Sequence, residues 1–118
     1  MKKTNNINST RYFSSRQEES ISKLIGGTTT PSSGSGHWRK GDIIQQNASL
    51  LIEAKCTMTP KDSFSIKKDW IIKNKEEAKT QRLASGCIAF DFEPDGPNYF
   101  VINEALMQFL VEKLEENK

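Results

Sequence analysis

The chain has 118 residues with a formal net charge of +2, so it has room for one domain with a modest core. It contains no apolar run of membrane-spanning length, and its first residues lack the apolar stretch of a secretion signal, so we expect a soluble cytoplasmic protein without a membrane partner. Cys56 and Cys87 have no CxxC or Cys/His spacing, which argues against a zinc site.

The first quarter of the chain predicts a polar arm followed by a helix. Residues 1–14 are rich in Asn, Ser and Thr and are expected to form a flexible arm, with a single domain over residues 15–118. A helix is expected over about 15–25, because Ser15 and Glu18 have capping-box spacing and two glycines follow Ile25. A short strand over 28–30 then stops at Pro31, before a loop of small residues.

The remaining patterns alternate between strand and helix. Strands are expected at about 41–46 and 49–55 as a hairpin, then a lysine-rich helix over 65–83, and strands over 86–92 and 99–102. Asn103 is expected to cap a final amphipathic helix whose apolar side packs on the sheet or on a second subunit. The fold class is therefore α/β, with one mixed sheet of about five strands flanked by helices.

Two acids and a lysine stand out in the predicted hairpin. Asp42 opens the first strand, and Glu53 and Lys55 end the second, on one face because strand side chains alternate. An ordinary core strand rarely carries such charges, because burying an unpaired charge is costly, so a functional site is one explanation. A cluster of ion pairs on the protein surface is the other. Carboxylates suit Mg²⁺ or Mn²⁺, and the backbone carbonyl of Ala54 is a further candidate ligand. The pattern indicates metal-dependent phosphodiester hydrolysis, with the lysine orienting the attacking water.

These residues resemble the PD-(D/E)XK nuclease superfamily. A Glu-bearing first helix, a Gly34-Ser35-Gly36 loop, Gly41-Asp42 and Ile52-Glu53-Ala54-Lys55 follow one another as in archaeal-type and phage Holliday junction resolvases. The segment from Lys61 to Trp70 is also similar to that family, and the likeness covers about 15–102. It implies a restriction-endonuclease-like core and a homodimer that makes paired nicks in four-way DNA junctions in a bacterial or phage-infected cell.

The resemblance also implies roles for individual residues. Glu18 corresponds to the catalytic helix glutamate, Asp42 and Glu53 to the metal ligands, Lys55 to the catalytic lysine, and Ser35 to a serine near the scissile phosphate. The chain departs from the family in having Glu19 after the helix glutamate and Pro31 where the family has an arginine. For Glu18 alone, helix capping is an equally good explanation.

Basic residues are the candidate DNA contacts. We expect Arg39 and Lys40 to replace the positive charge of the family arginine that Pro31 lacks. Lys67 and Lys68, at the start of the lysine-rich helix, are further candidates, although a solvated helix face explains these two equally well. The alternatives to a resolvase are a phage nuclease that cuts flaps, nicks or plain duplex, and a DNA-binding subunit without catalysis.

Overall fold

A computed structural model describes residues 10–29 and 42–118, and it confirms the α/β class with a mixed sheet of five strands. The elements in chain order are α1 (Thr10–Ile25), β1 (Thr28–Thr29), β2 (Asp42–Gln45), β3 (Leu50–Lys55), α2 (Lys68–Thr80), β4 (Ser85–Phe90), β5 (Tyr99–Val101) and α3 (Glu104–Glu116). The predicted site residues Ser35, Arg39 and Lys40 and the first nine residues of the predicted arm lie outside the described ranges.

The strands lie side by side in chain order, β1-β2-β3-β4-β5. Every neighbouring pair is antiparallel except β3 and β4, which run parallel. A parallel pair needs a long crossover connection, and α2 provides it. The crossover explains why the chain leaves the sheet after Lys55 and returns at Ser85.

Alternating side chains divide the core between the two faces of the sheet. On one face Ile43, Ile52, Cys87 and Ala89 pack with Ile21 of α1. On the other, a second cluster packs against α2 and the turn that follows it; its members are Ile44, Leu51, Ala78 and Leu83. The period-2 pattern of β2 and β3 therefore builds a core on both sides, one for each helix.

Helix α2 approaches the sheet closely at one glycine. A Cβ atom added to Gly86 of β4 would overlap the side-chain amide of Asn74, which is buried and donates a hydrogen bond of 3.4 Å from Nδ2 to the carbonyl oxygen of Leu51. A side chain at position 86 would force the Asn74 side chain to move. The glycine is therefore explained by packing and not by an unusual backbone conformation.

The helix boundaries differ from those predicted. Helix α1 begins at Thr10, not at Ser15, so residues 10–14 of the predicted arm are helical, and an edge-to-face contact of 5.2 Å between the Tyr12 and Phe13 rings lies in its first turns. Because Ser15 is inside the helix, it cannot be the N-cap, and the capping-box explanation of Glu18 is wrong. Helix α2 is shorter than the predicted 65–83. Before its first residue Lys67 has an extended backbone, and after its last residue Arg82 has a φ of +60°, so neither residue is helical.

Helix α3 begins as predicted but does not pack on the sheet. The side chain of Asn103 accepts a hydrogen bond of 2.8 Å from the backbone N–H of Leu106, which confirms the expected cap. None of the helix residues is buried, and α3 makes no substantial contact with another described element. The sequence analysis expected the apolar side of this helix to pack either on the sheet or on a second subunit. Packing on the sheet is not observed among the described residues. Within residues 10–29 and 42–118, no helix is long and apolar enough to cross a membrane.

Replacing Ile52 should test whether the α1-facing cluster holds the domain together. Ile52 is fully buried, whereas Leu24 on the outer side of α1 is 67% exposed. We expect Ile52→Ala to lower the free energy of unfolding by about 2–5 kcal/mol, because it leaves a cavity, and Leu24→Ala to change it by about 0.5 kcal/mol or less. Urea unfolding followed by circular dichroism measures both. Equal losses would contradict the assignment of the core.

Candidate active site

The register of β2 and β3 places Asp42 and Glu53 directly opposite each other. Directly opposed residues project to the same face of an antiparallel pair, with Cβ atoms about 4.5–5.5 Å apart. Both residues are buried, with 2% of Asp42 and 6% of Glu53 exposed. The two acids that the sequence singled out are therefore neighbours in a largely desolvated position.

Lys55 joins this pair from the end of β3. It lies two residues beyond Glu53 and so projects to the same face. Its Nζ atom is 2.9 Å from Oε2 of Glu53 and 4.4 Å from the centre of the Trp70 ring. The ammonium group is thus held between a carboxylate and an aromatic face.

The charges of these three side chains suit a cation. Asp42, Glu53 and Lys55 together carry a formal charge of −1, and opposed like charges on neighbouring strands repel each other. Removing carboxylates from water is costly unless opposite charge and hydrogen bonds compensate. A divalent cation would be attracted to two neighbouring carboxylates, and hard oxygen ligands are what Mg²⁺ and Mn²⁺ prefer.

The ligand set that fits is small. Ala54 lies between Glu53 and Lys55 in β3, so its carbonyl is next to Glu53 in the backbone, while Asp42 is on the neighbouring strand β2. In the part of the chain that the structure describes, no group of three or more His, Cys, Asp or Glu side chains is arranged to hold a metal. The metal ligands predicted from the sequence are not such a group of three side chains. They are two carboxylates and one main-chain carbonyl, and water would complete the coordination.

An open cleft of about 550 Å³ lies at the end of β3. Glu18 of α1, Ala54, Lys55, Phe64 and Trp70 are among the residues that line it. Glu18 and Lys55 therefore line the same cleft. Asp42 and Glu53 do not line this cleft; they are buried in the sheet.

Gln17 fixes α1 against the end of β3. Its side chain is buried, and Nε2 donates a hydrogen bond of 2.9 Å to the carbonyl oxygen of Lys55. The same nitrogen lies 3.2 Å from Oδ1 of Asn98. This contact positions both Glu18, the next residue in α1, and the backbone that carries Lys55. Sequence reasoning missed Gln17 because a bond between residues 38 positions apart leaves no local pattern.

Asp91 fixes the chain immediately after the site. The backbone N–H and the hydroxyl of Thr57 each donate a hydrogen bond of 2.8 Å to Oδ1 of Asp91. Burial raises the pKa of Asp91 above its usual value, and the two bonds from Thr57 partly offset this effect. The contact ties the segment after β3 to the end of β4. The sequence analysis did not identify this pair either, for the same reason.

An aromatic cluster supports Trp70 over the lysine. The Phe64 ring lies 6.3 Å from the Trp70 ring and stacks on Phe90 at 4.9 Å. Phe92 and Tyr99 contact Phe90 at 5.4 and 5.8 Å. Trp70 was part of the family-like segment, but its position over Lys55 was not predicted. The one signal was a single aromatic residue in an otherwise lysine-rich helix.

The two lysines predicted as DNA contacts take different positions. Lys67 is exposed, and its Nζ lies 5.8 Å from the Trp70 ring centre, so it places positive charge beside the cleft. Lys68 is the exposed first residue of α2. Both side chains are open to solvent.

Comparison of the chain with protein-family models, with curated proteins and with solved structures found no match.

Removing one carboxylate should abolish metal binding at this site. We expect Mg²⁺ to raise the melting temperature of the wild-type protein, because a ligand that binds only the folded state stabilises it. Asp42→Asn should remove this rise, since it takes one charged ligand away. Asp62→Asn, in an exposed loop position, is the matched control and should retain it. Titration calorimetry with MgCl₂ and thermal melts measure the effect; an unchanged rise in Asp42→Asn would contradict the site.

The contact between Lys55 and Trp70 should appear as an energetic coupling. A cation over an aromatic face contributes about 0.5–1 kcal/mol at exposed positions and more when desolvated. We expect a double-mutant cycle of Lys55→Met and Trp70→Leu, measured by urea unfolding, to give a coupling of about 0.5–1 kcal/mol. The cycle of Lys67→Met with Trp70→Leu is the control and should give a smaller value. Equal couplings would show that Trp70 does not hold Lys55.

Proposed function

We propose that the protein is a metal-dependent endonuclease of the PD-(D/E)XK type that cuts branched DNA as a homodimer, making paired nicks in a four-way junction. The observation that carries the proposal is the opposition of Asp42 and Glu53 in the sheet, with Nζ of Lys55 2.9 Å from Glu53. The resolvase-like order of the motifs along the sequence supports the choice of substrate. The bacterial or phage-infected cytoplasm belongs to the same proposal.

The metal site of this proposal consists of Asp42, Glu53 and the carbonyl of Ala54. A bound Mg²⁺ or Mn²⁺ would polarise the phosphoryl oxygen, stabilise the leaving alkoxide and lower the pKa of a coordinated water. The protein's own part is to hold two carboxylates in a fixed spacing within a rigid sheet. Because strands position side chains more reproducibly than loops, this spacing is set before any ligand binds.

Lys55 is the group that acts on the reacting atoms. Its ammonium carries donors that can orient an attacking water and offset negative charge as it develops on the phosphate. The neighbouring ring of Trp70 and the carboxylate of Glu53 restrict where the ammonium can lie. Such preorganisation lowers the cost of positioning during the reaction.

Glu18 and the basic residues complete the site. Glu18 lines the same cleft as Lys55, from α1, and in this proposal it would accept a hydrogen bond from a water there. Lys67 and Lys68, with Ser35, Arg39 and Lys40 from the segment outside the described ranges, would contact the DNA backbone. Binding through these cations would weaken as salt rises, because each phosphate contact releases counterions.

Cleavage of a labelled synthetic four-way junction tests the proposal. With Mg²⁺ we expect paired symmetric nicks in the junction, and no cleavage of linear duplex or of a flap. Lys55→Ala should lower the cleavage rate by about a hundredfold or more, because removing one hydrogen-bond donor that stabilises transition-state charge typically has an effect of this size. Lys61→Ala, an exposed lysine outside the cleft, should cleave as the wild type does. EDTA should stop the reaction.

The other outcomes separate the alternatives. Cleavage of all three substrates, still lost in Lys55→Ala, would keep the active site but replace the resolvase with a general or flap nuclease. Junction binding without cleavage in either Mg²⁺ or Mn²⁺ would reject the enzyme and leave a DNA-binding subunit. Thermal melts of each variant distinguish a lost catalytic group from a lost fold.

A further inference from the structure

A patch of aromatic rings lies beside the cleft without being buried. Its members contact one another and are Phe64, Trp70, Phe90, Phe92 and Tyr99. None of these five side chains is buried, and Tyr99 is 47% exposed. Aromatic side chains usually bury their large surface in a core, whereas a contiguous exposed patch marks a place where another molecule binds.

Three rings of this patch are turned nearly the same way. The Phe64 ring lies at 25° to the Phe90 ring, with centres 4.9 Å apart. The Tyr99 ring lies at 30° to the Phe90 ring, with centres 5.8 Å apart. Phe92 contacts both Phe90 and Tyr99 with its ring at a steep angle to theirs. Because nearly parallel rings present their flat faces, a further flat ring system can stack on them.

The strand register places these rings in line with Lys55. Lys55 of β3 pairs with Phe90 of β4, and Phe90 pairs with Tyr99 of β5. Neighbouring strands are about 4.8 Å apart, so the backbone at Tyr99 is about 10 Å from that at Lys55. One edge of the patch is therefore at the group proposed to act on the phosphate. Tyr99 is at the other edge, on the outermost strand of the sheet.

Positive charge borders the patch on the side of α2. Nζ of Lys55 is 4.4 Å from the centre of the Trp70 ring, and Nζ of Lys67 is 5.8 Å from it. A nucleic-acid strand combines negative phosphates with flat bases, so it matches both the cations and the rings. An apolar protein surface would match the rings but not the positive charge beside them.

We propose that Tyr99, supported by Phe90 and Phe92, stacks on an unpaired base of the DNA substrate. Inside a duplex the faces of a base are covered by its neighbours, so only a strand with exposed bases makes this contact. The inference deepens the proposed function and rests on it. Exposed bases become the feature by which the protein selects branched DNA over plain duplex.

The geometry also limits which base Tyr99 contacts. Successive nucleotides of one stacked strand are about 3.4 Å apart along the helix axis. The distance of about 10 Å between the backbones of Lys55 and Tyr99 therefore corresponds to about three nucleotides. The stacked base belongs within this distance of the phosphate that Lys55 contacts.

Binding of two single strands tests the contact. One is a short thymidine strand, and the other is an abasic strand of equal length, so both carry the same phosphate charge. In EDTA, which prevents cleavage, fluorescence anisotropy should show that the wild type binds the thymidine strand about tenfold or more tightly, because stacking on an aromatic ring has about this effect. Tyr99→Leu should remove the preference without changing the affinity for the abasic strand.

Phe100→Leu is the matched control. Phe100 is the next residue of β5 and is 38% exposed, but it projects to the opposite face of the sheet. This variant should keep the preference for the thymidine strand. Tyr99→Phe should keep it as well, because the ring remains. All of these variants should lose affinity with rising salt to the same extent, since none of them changes a phosphate contact.

A 2-aminopurine base in the thymidine strand gives a readout that needs no variant. Its fluorescence should fall when the wild type binds, because stacking quenches it. Unquenched fluorescence, equal affinity of the wild type for both strands, or a preference that Tyr99→Leu retains would each overturn the proposal and leave the patch to a protein partner. Binding of neither strand would reject the DNA substrate as well, so the two failures are distinguishable.

Discussion

The antiparallel ladder of β2 and β3 is the constraint on which the site depends. Ile43 and Ile52 pair in register and pack against α1, while Ile44 and Leu51 pack towards α2. A slip of one residue would turn each of these side chains to the opposite face, so burial on both sides of the sheet specifies a single register. That register is also the one in which Asp42 meets Glu53. Hydrophobic packing therefore stabilises a pairing of two acids that would repel each other in isolation.

Much of this arrangement was predictable, because it depends on local periodicity. Alternation along a strand places Glu53 and Lys55 on one face, and the hairpin between residues 45 and 50 brings Asp42 to the same region. Asn103 has an ordinary capping signal, and its cap is confirmed. The mixed character of the sheet was predicted, but the order of its strands and the identity of the parallel pair were not.

The features that could not be predicted from the sequence depend on tertiary contacts, mostly between residues far apart in the chain. Helix α1 extends back to Thr10 although the polar composition suggested an arm, and the ring contacts of Tyr12 with Phe13 and Arg16 accompany the added turn. The bond from Gln17 to the carbonyl of Lys55 joins residues far apart in the chain. Local propensity carries no information on such pairs, so the positions of Glu18 and Trp70 emerge only from the tertiary structure.

The candidate site and helix α3 occupy different parts of the fold. The carboxylate pair, Lys55 and Trp70 belong to the rigid centre, where strands and an aromatic cluster hold them. Helix α3 lies outside this centre and makes no substantial contact with another described element.

In the proposed site, Asp42 and Glu53 would hold a divalent cation between β2 and β3. The most direct measurement is an anomalous-difference map from crystals soaked in MnCl₂, because Mn²⁺ scatters anomalously and takes the same oxygen ligands as Mg²⁺. We expect one strong peak within coordinating distance of both carboxylates and of the carbonyl of Ala54. Peaks confined to surface acids, with the region between Asp42 and Glu53 empty, would contradict it.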